Sequence, residues 1–244
     1  MKIDYTHYYR KWHDDSDAHR AAMISYSRNL LESRLPADKN AKVLDVGCGM
    51  GFALLALREL GFPNLSGVES DSGQAKSCQA KNLDVTLADD TIEFLKQHAG
   101  TYDLIICLDV IEHIPVAIQL AFVHALAGAL RSGGKLICTV PNANSALAAR
   151  WRYNDWTHAA SFTEHSLDFL LYNGGFTDIQ VAGHEFNRRP KNVWLPVGGA
   201  RHWWAFRFFR LFRRLEMMAE LGPGQGRTVP LSLNLIATAN KRSD

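Results

Sequence analysis

Three glycines at alternate positions form the motif in this 244-residue sequence that says most about chemistry. An apolar stretch contains Asp45 near its end, and Gly47, Gly49 and Gly51 follow before residues that favour a helix. Glycine lets the backbone turn sharply and lets a ligand approach without meeting a Cβ atom. A turn of this kind after a strand brings a small molecule to the N-terminus of the next helix. The motif predicts a small-molecule site, although a tight turn without a ligand could use the same glycines.

The spacing of the glycines selects among ligands. A dinucleotide-binding turn has the pattern G-x-G-x-x-G, but position 52 is Phe52. A phosphate-binding loop needs Lys and then Ser or Thr after its last glycine, and neither follows Gly51. The stretch instead resembles the first motif of the class I S-adenosylmethionine methyltransferases, an apolar strand followed by D-x-G-x-G-x-G. The resemblance implies that the cofactor S-adenosylmethionine contacts Asp45, Gly47, Cys48, Gly49 and Gly51.

Acidic residues follow the next two predicted strands, where the nucleoside of such a cofactor would bind. Glu69, with Ser70 after it, lies about 20 residues beyond the glycines, the usual place of a ribose-binding acid; the alternative is a solvated turn residue. Asp90 resembles the family's D-x-x-E-F/Y adenine motif, with Asp89 as the alternative and Thr91 beside it. An Asp at this place could also cap a helix.

The segment from Tyr102 to Pro115 is the second strong motif. It resembles the (F/Y)-D-x-(I/V)…(E/D)-V-(I/L)-E-H-(I/V)-P segment of ubiquinone-type and natural-product methyltransferases. The resemblance places Leu108 and Asp109 beside the methionine part of the cofactor. His113 is either a general base or a residue that fixes this loop. Glu112 and His113 alone are thin support for a metal site, so we predict no obligatory metal.

The segment after the fifth predicted strand concerns the acceptor of the methyl group. Residues 152–158 and 162–176 resemble the R-Y-x-D-x-T-H…F-T-x-x-S-L stretch of methyltransferases that act in bacterial polysaccharide, capsule and O-antigen biosynthesis. His158 is the preferred general base, because its unperturbed pKa of about 6.5 lets it accept a proton near neutrality. Asp155 would orient it or bind a hydroxyl group. The predicted acceptor-binding residues are Arg152, Tyr153, Trp156 and Thr157. The alternative is a structural capping turn over 155–158.

The resemblance implies methyl transfer to a hydroxyl of a sugar or glycan precursor. Two other hypotheses stay open. One is an enzyme that methylates a small metabolite, such as a quinone precursor or a nitrogen nucleophile. The other is a protein that binds S-adenosylmethionine without catalysis and serves as a scaffold.

Alternating strand and helix patterns favour a parallel sheet covered by helices on both faces. The predicted fold class is α/β, a Rossmann-like three-layer class I methyltransferase with a seven-stranded, mostly parallel sheet and an antiparallel last strand. The predicted strands are 42–46, 65–69, 85–88, 102–110, 135–140, 179–186 and 231–239, and the helices are 52–60, 72–81, 91–98 and 116–130. The predicted single domain comprises a helical cap (1–40), with a helix capped by Asp17 and running to Leu35, a cofactor-binding core (41–142), an acceptor segment (143–175) and an insertion (187–229).

Composition indicates an ordinary globular protein, with 47% hydrophobic and 21% charged residues. A net charge of +2 gives no bulk electrostatic reason to bind nucleic acid. The four cysteines form no C-x-x-C pair and suggest a reducing compartment. The first residues lack the apolar core of a signal peptide, and no apolar run approaches the ~18 residues of a membrane span. We therefore expect a cytoplasmic protein, with association at the inner face of the membrane as an option.

A basic aromatic helix is predicted over 203–215, inside the insertion. At helical spacing its apolar side chains share one face and its arginines the other. Such a helix can lie on an anionic membrane. The alternatives are that its apolar face packs on the domain or on a second copy in a homodimer, or that its arginines, with residues 187–191, hold a phosphate-bearing substrate.

Overall fold

The architecture is that of a single mixed β-sheet between two layers of helices. A computed structural model of the chain describes residues 7–8, 11, 13, 16–185 and 199–243. The sheet has seven strands in the order β3-β2-β1-β4-β5-β7-β6. Their bounds are Val43–Val46 (β1), Leu65–Glu69 (β2), Val85–Leu87 (β3), Tyr102–Leu108 (β4), Leu130–Pro141 (β5), Phe176–His184 (β6) and Asn234–Lys241 (β7).

Strands β1 to β5 are parallel, and β7 is antiparallel to both of its neighbours, β5 and β6. The predicted fold class, with its antiparallel last strand, is confirmed. The strand order reverses between β1 and β4, so the crossover helices leave toward opposite faces of the sheet there. In an open α/β sheet, ligands bind at the carboxyl ends of the strands at such a reversal.

The helices lie close to their predicted positions. Their bounds are Asp17–Leu31 (α1), Phe52–Glu59 (α2), Ser72–Gln79 (α3), Thr91–Gln97 (α4), Val116–Ala129 (α5), Ala148–Asn154 (α6), Glu164–Asn173 (α7) and Gly199–Thr228 (α8). Helix α1 was predicted to be capped by Asp17 and to reach Leu35, and both details are wrong. The Ser16 hydroxyl accepts from the His19 N–H at 3.2 Å, so Ser16 is the cap, and a 3₁₀ turn replaces the helix after Leu31.

Successive side chains of the central strands enter two different cores, as the pleat of a strand requires. Val43 packs with α1 and α2 on one face of the sheet, whereas Leu44 packs with α5 and α7 on the other. The last predicted strands shift by a few residues, and Phe176 rather than Ile179 begins β6. Position 186, the predicted end of that strand, lies outside the described residues. Helix α6 was not predicted, because its few apolar side chains have no clear helical period.

Gly51 occupies a backbone conformation that only glycine adopts without strain. Its φ is +79°, and a Cβ atom would lie 2.4 Å from Leu83 Cδ1. Gly100 has a similar φ of +65°, but a Cβ there would meet nothing within 4 Å. We therefore expect Gly51→Ala to lower the free energy of unfolding by about 2–4 kcal/mol and Gly100→Ala by only about 1 kcal/mol. Urea denaturation measures both, and equal losses would contradict the steric role of Leu83.

Helix α8 presents its apolar side chains to solvent. It is broken at Gly222, where φ is 80° and ψ is 157°. Its most exposed large side chains are Trp204, Phe208, Phe209, Leu211, Phe212 and Leu215, each 50–70% exposed. The hypothesis that this face packs on the domain is therefore wrong for the described residues. Residues 187–198 of the predicted insertion lie outside them. In the part of the chain that the structure describes, no helix is both long and apolar enough to span a bilayer.

Candidate functional site

A cavity of about 720 Å³ opens at the carboxyl ends of β1, β2 and β4. This volume is within the range of about 300–1,000 Å³ that is typical of ligand pockets. The predicted site residues that line it are Asp45, Gly47, Cys48, Gly49, Glu69, Ser70, Thr91, Leu108, Asp109, His113, Trp156, Thr157 and His158. The fold thus brings together most of the side chains that the sequence motifs predicted as one site.

The glycine turn and Glu69 form one hydrogen-bonded unit. The buried Glu69 carboxylate accepts from the Gly49 N–H through Oε2 at 2.8 Å. Its Oε1 accepts from the backbone N–H groups of Ser70 at 2.8 Å and Asp71 at 2.9 Å. A carboxylate has about four acceptor positions, so Oε2 keeps a lone pair for a ligand hydroxyl. Gly51 is the N-cap residue of α2 and is not part of the cavity lining.

Two further carboxyl groups face the cavity. Burial raises the pKa of Asp45 well above its usual range, and the nearby Cys78 and Glu69 add to the effect. A buried carboxyl group favours a positively charged ligand, because the positive charge offsets the cost of ionising the carboxyl group. Asp109 has a left-handed φ of 53°. Its Oδ1 accepts from the Thr139 hydroxyl at 2.9 Å and from the Asn234 amide at 3.0 Å, which fixes its position.

The predicted adenine acids lie outside the cavity lining. Asp90 caps α4, and its carboxylate accepts from the Glu93 N–H at 3.0 Å. Among the described residues around the cavity, Thr91 is included and Asp89 and Asp90 are not. The capping alternative therefore describes Asp90 in this structure.

Helix α1 closes one side of the cavity, which the sequence did not predict. Met23, Tyr26 and Ser27 line it, together with His13. The helical spacing of Met23 and Tyr26 indicated a buried face, but no local pattern tells which part of the domain covers that face. Burial raises the pKa of Tyr26 above its usual range, so its hydroxyl stays protonated.

Two histidines in the lining of the cavity contact each other. The rings of His113 and His158 are in edge contact, with centroids 4.6 Å apart. His158 Nδ1 lies 2.8 Å from the Trp151 carbonyl oxygen, which can only accept, so Nδ1 carries the proton. His113 Nδ1 lies 2.8 Å from Thr157 Oγ1. Burial lowers the pKa of His113, and the neighbouring His158 contributes.

Asp155 fixes the tautomer of His113 through Thr157. The buried Asp155 carboxylate accepts from both the Thr157 hydroxyl, at 2.6 Å, and the Thr157 N–H, at 2.8 Å. Because the hydroxyl proton points to Asp155, Oγ1 must accept from His113 Nδ1–H. Each histidine therefore has its basic nitrogen at Nε2. Asp155 does not line the cavity, and its carbonyl oxygen accepts from the His158 N–H at 3.3 Å, so it serves to position other groups.

Arg152 and Tyr153 do not reach this cavity. They line a separate, shallow depression of about 370 Å³ together with Ala148 and Ser161. The Arg152 guanidinium donates to the Ala159 carbonyl at 3.1 Å and so holds the 155–160 loop. Trp156 does line the main cavity and is 83% exposed, which leaves its ring available at the entrance.

The cavity fits the methyl donor that the motifs predicted. S-adenosylmethionine has two ribose hydroxyls, which match the outward lone pair of Glu69. It also has a cationic sulfur and an ammonium group, which match the carboxyl groups of Asp45 and Asp109. These residues occupy the crevice where the strand order reverses, as a nucleoside ligand in this class of sheet requires.

Comparison with known proteins agrees with this fit. A family model described as a methyltransferase domain matches residues 16–181, more than half of the chain. A SAM-dependent methyltransferase from Archaeoglobus fulgidus has a similar structure, with a TM-score of 0.64 and 21% identity over 89% of this chain and 94% of that chain. Phosphoethanolamine N-methyltransferase 2 of Haemonchus contortus, solved in complex with S-adenosyl-L-methionine, has a TM-score of 0.60 and 13% identity over 90% of this chain and 53% of that chain. At these identities the two structures show the fold alone.

A curated relative is more similar in sequence. The ubiquinone biosynthesis O-methyltransferase of Psychrobacter arcticus is 30% identical over 172 residues, which cover 63% of this chain and 66% of the relative. Across the curated relatives of this name, the chain spans from under half to about two thirds of their length. The name of this relative does not include the polysaccharide role that the acceptor segment suggested.

Proposed function

The chain belongs to the methyltransferase-domain family and has the fold of the S-adenosylmethionine-dependent methyltransferases, and on that premise we propose that it methylates a hydroxyl oxygen of a small ring-bearing acceptor. The observation that carries the proposal is the pair of contacting histidines in the lining of the donor cavity. Their hydrogen bonds leave Nε2 as the basic nitrogen of each ring. An oxygen nucleophile must lose a proton during transfer, and these groups are able to accept it.

The donor supplies a methyl group on a positively charged sulfur, and transfer is an in-line displacement. Glu69 holds the ribose and sets the position of the glycine turn through the Gly49 N–H. Asp45 and Asp109 offer negative charge to the methionine part. His158 takes the acceptor proton, and Asp155 and Thr157 keep His113 in the matching tautomer. Positioning of the two reactants accounts for a large part of such catalysis.

A phenolic ring, such as that of a quinone precursor, is the acceptor we favour. A phenol has a pKa of about 10, so a histidine can remove its proton more readily than that of an alkyl hydroxyl. The relative's name supports this choice. The second candidate is the sugar or glycan precursor suggested by the acceptor segment. The exposed ring of Trp156 supports it, because an aromatic face at the cavity entrance could stack on a sugar.

Release of S-adenosylhomocysteine from the purified protein tests both candidates. We expect turnover with one class out of a panel of catechols, quinone precursors and sugar nucleotides. Turnover with sugar nucleotides alone would replace the phenolic proposal by the glycan proposal. Binding of S-adenosylmethionine without any product would support the non-catalytic scaffold and contradict both.

The surface of α8 is suited to an anionic membrane. Residues 199–215 contain five arginines and no acidic residue. Two of these, Arg201 and Arg207, are exposed beside the apolar side chains that face solvent. Arg210 instead forms an ion pair with Glu185 at 3.4 Å. We place the apolar side chains at the lipid surface, with the exposed arginines at anionic headgroups. A membrane-bound enzyme would meet an acceptor that is carried in the lipid phase.

Sedimentation with phosphatidylglycerol vesicles tests this surface. The combined substitution of Trp204, Phe208 and Phe212 by Ser should reduce the bound fraction at least about tenfold, because apolar burial drives such binding. Phe169→Ser is the matched control, since Phe169 is 70% exposed on another helix. Absence of wild-type binding would contradict the proposal. A homodimer in solution that only the triple variant dissociates would assign the face to a second copy instead.

A further inference from the structure

The carboxyl group of Asp109 is exposed to the cavity, and hydrogen bonds to Thr139 hold the residue in one conformation. The Asp109 N–H donates to the Thr139 carbonyl oxygen at 3.1 Å and to the Thr139 hydroxyl at 3.0 Å. The same hydroxyl donates back to Asp109 Oδ1 at 2.9 Å. These bonds stabilise the left-handed φ of 53°, which residues other than glycine rarely adopt.

Asn234 contacts the same carboxyl oxygen from a distant part of the chain. Its Nδ2 donates to Asp109 Oδ1 at 3.0 Å across 125 positions of sequence. A carboxylate oxygen only accepts, so the amide is oriented with its nitrogen toward Asp109. Asn234 is half-buried and is not among the described residues that line the cavity. Its side chain can therefore affect a ligand in this cavity only through Asp109.

The antiparallel direction of β7 explains how residue 234 reaches this site. Asn234 is the first residue of β7 and pairs with Pro141, the last residue of β5. An antiparallel strand begins where its neighbour ends, so β7 begins at the edge of the sheet where the cavity opens. Strand β5 lies between β4 and β7, and Asp109 directly follows β4. Asn234 thus bonds to a residue that belongs two strands away.

A buried asparagine fixes the segment that leads into β7. Asn142 is 0% exposed, and its Nδ2 donates to the carbonyl oxygens of Pro230, at 2.9 Å, and Ser232, at 2.8 Å. Its backbone N–H donates to the Leu233 carbonyl at 2.9 Å. The Ser232 hydroxyl donates to the Asn234 carbonyl at 2.7 Å. The backbone at position 234 is therefore held relative to the carboxyl end of β5.

We propose that Asn234 is a positioning residue for the methyl donor, which orients Asp109 so that Oδ2 binds the amino group of the methionine part. Oδ1 already accepts from two donors, which leaves Oδ2 for a ligand. An ammonium group is the complementary ligand, because hydrogen bonds between charged groups are stronger than those between neutral groups. The inference rests on the binding of the donor and is independent of the acceptor.

Calorimetry of the full chain with two nucleosides tests the proposal. S-adenosylhomocysteine carries the amino group, whereas 5′-methylthioadenosine has the same nucleoside and lacks the amino acid part. Asn234→Leu should weaken binding of S-adenosylhomocysteine about tenfold and change binding of 5′-methylthioadenosine by less than about twofold. Asn234→Asp keeps the shape of the side chain and places a second carboxyl group beside Asp109, so it should weaken S-adenosylhomocysteine binding at least as much. Unchanged binding of 5′-methylthioadenosine shows that a variant is folded.

Three further variants separate the effect from a general disturbance of the site. Asn240→Leu is the matched control, since Asn240 lies on the same strand and donates to Asp178 at 3.2 Å, and neither lines the cavity. Asp109→Asn should show the same selective loss as Asn234→Leu. In the double variant of positions 109 and 234, Asn234→Leu should add less than about twofold, because no carboxylate remains to be oriented. Glu69→Gln should weaken binding of both nucleosides, since both carry the ribose hydroxyls.

The possible outcomes distinguish the steps of the inference. Equal losses for both nucleosides in Asn234→Leu, or no loss for either, would overturn the role of Asn234. Multiplication of the two single effects in the double variant would overturn it as well, because Asn234 would then act independently of Asp109. A loss in Asp109→Asn that is not selective would overturn the contact of Asp109 with the amino group. The selective loss in a protein that methylates no acceptor would contradict the proposed function and leave this inference standing.

Discussion

Glu69→Gln should weaken S-adenosylhomocysteine binding about 30-fold or more, which corresponds to about 2 kcal/mol. Hydrogen bonds to a charged group contribute about 1.5–3 kcal/mol, and the ribose hydroxyls would lose such an acceptor. The substitution also places an amide where the Gly49 N–H and the Ser70 N–H both need acceptors, and one amide oxygen cannot serve both sides. The glycine turn should therefore loosen in the same variant.

Isothermal titration calorimetry with S-adenosylhomocysteine measures the effect. Glu93→Gln is the control, because Glu93 is exposed, its carboxylate accepts from the Gln97 side chain at 3.2 Å, and it does not line the cavity. Thermal unfolding of Glu69→Gln shows whether the loss of affinity reflects global unfolding. Affinity within threefold of wild type would exclude Glu69 as the ribose ligand and would remove the main support for the predicted cofactor site.

His158→Ala should lower the rate of methyl transfer by about 10²–10⁴-fold and leave S-adenosylhomocysteine binding intact. The residue lines the cavity, and its Nε2 is the basic nitrogen in the neutral ring. A lower rate of methyl transfer with an unchanged affinity for S-adenosylhomocysteine would show that the substitution impairs catalysis and not binding of the donor.

Single-turnover measurements at saturating donor give the rate of the chemical step. His165→Ala serves as the control on an exposed histidine. Near-normal turnover by His158→Ala would show that this histidine has no part in proton transfer and would leave His113 as the candidate.

The sequence by itself determined the order of elements and predicted the residues from the glycine turn to Glu69 that line one cavity. Periodic apolar residues predicted most strands and helices to within a few residues, because each element buries one face of fixed period. The glycine turn and Glu69 could be found because the turn, its acid and the connecting helix lie within one short βαβ unit. Contacts within such a unit depend on the number of residues between the contacting positions, and this number can be read from the sequence.

Only the tertiary structure decided which distant groups meet. His113 and Thr157 are 44 residues apart and within hydrogen-bonding distance, and the sequence motifs placed them in separate functional segments. Glu112 and His158, from the same two segments, have side-chain atoms within 4.8 Å of each other, and α1 adds Met23, Tyr26 and Ser27 to the cavity wall. A helical pattern likewise showed that α8 has an apolar face, but not that this face would be turned to solvent. The physical reason is that periodicity specifies an element's faces, whereas packing among all elements specifies what each face covers.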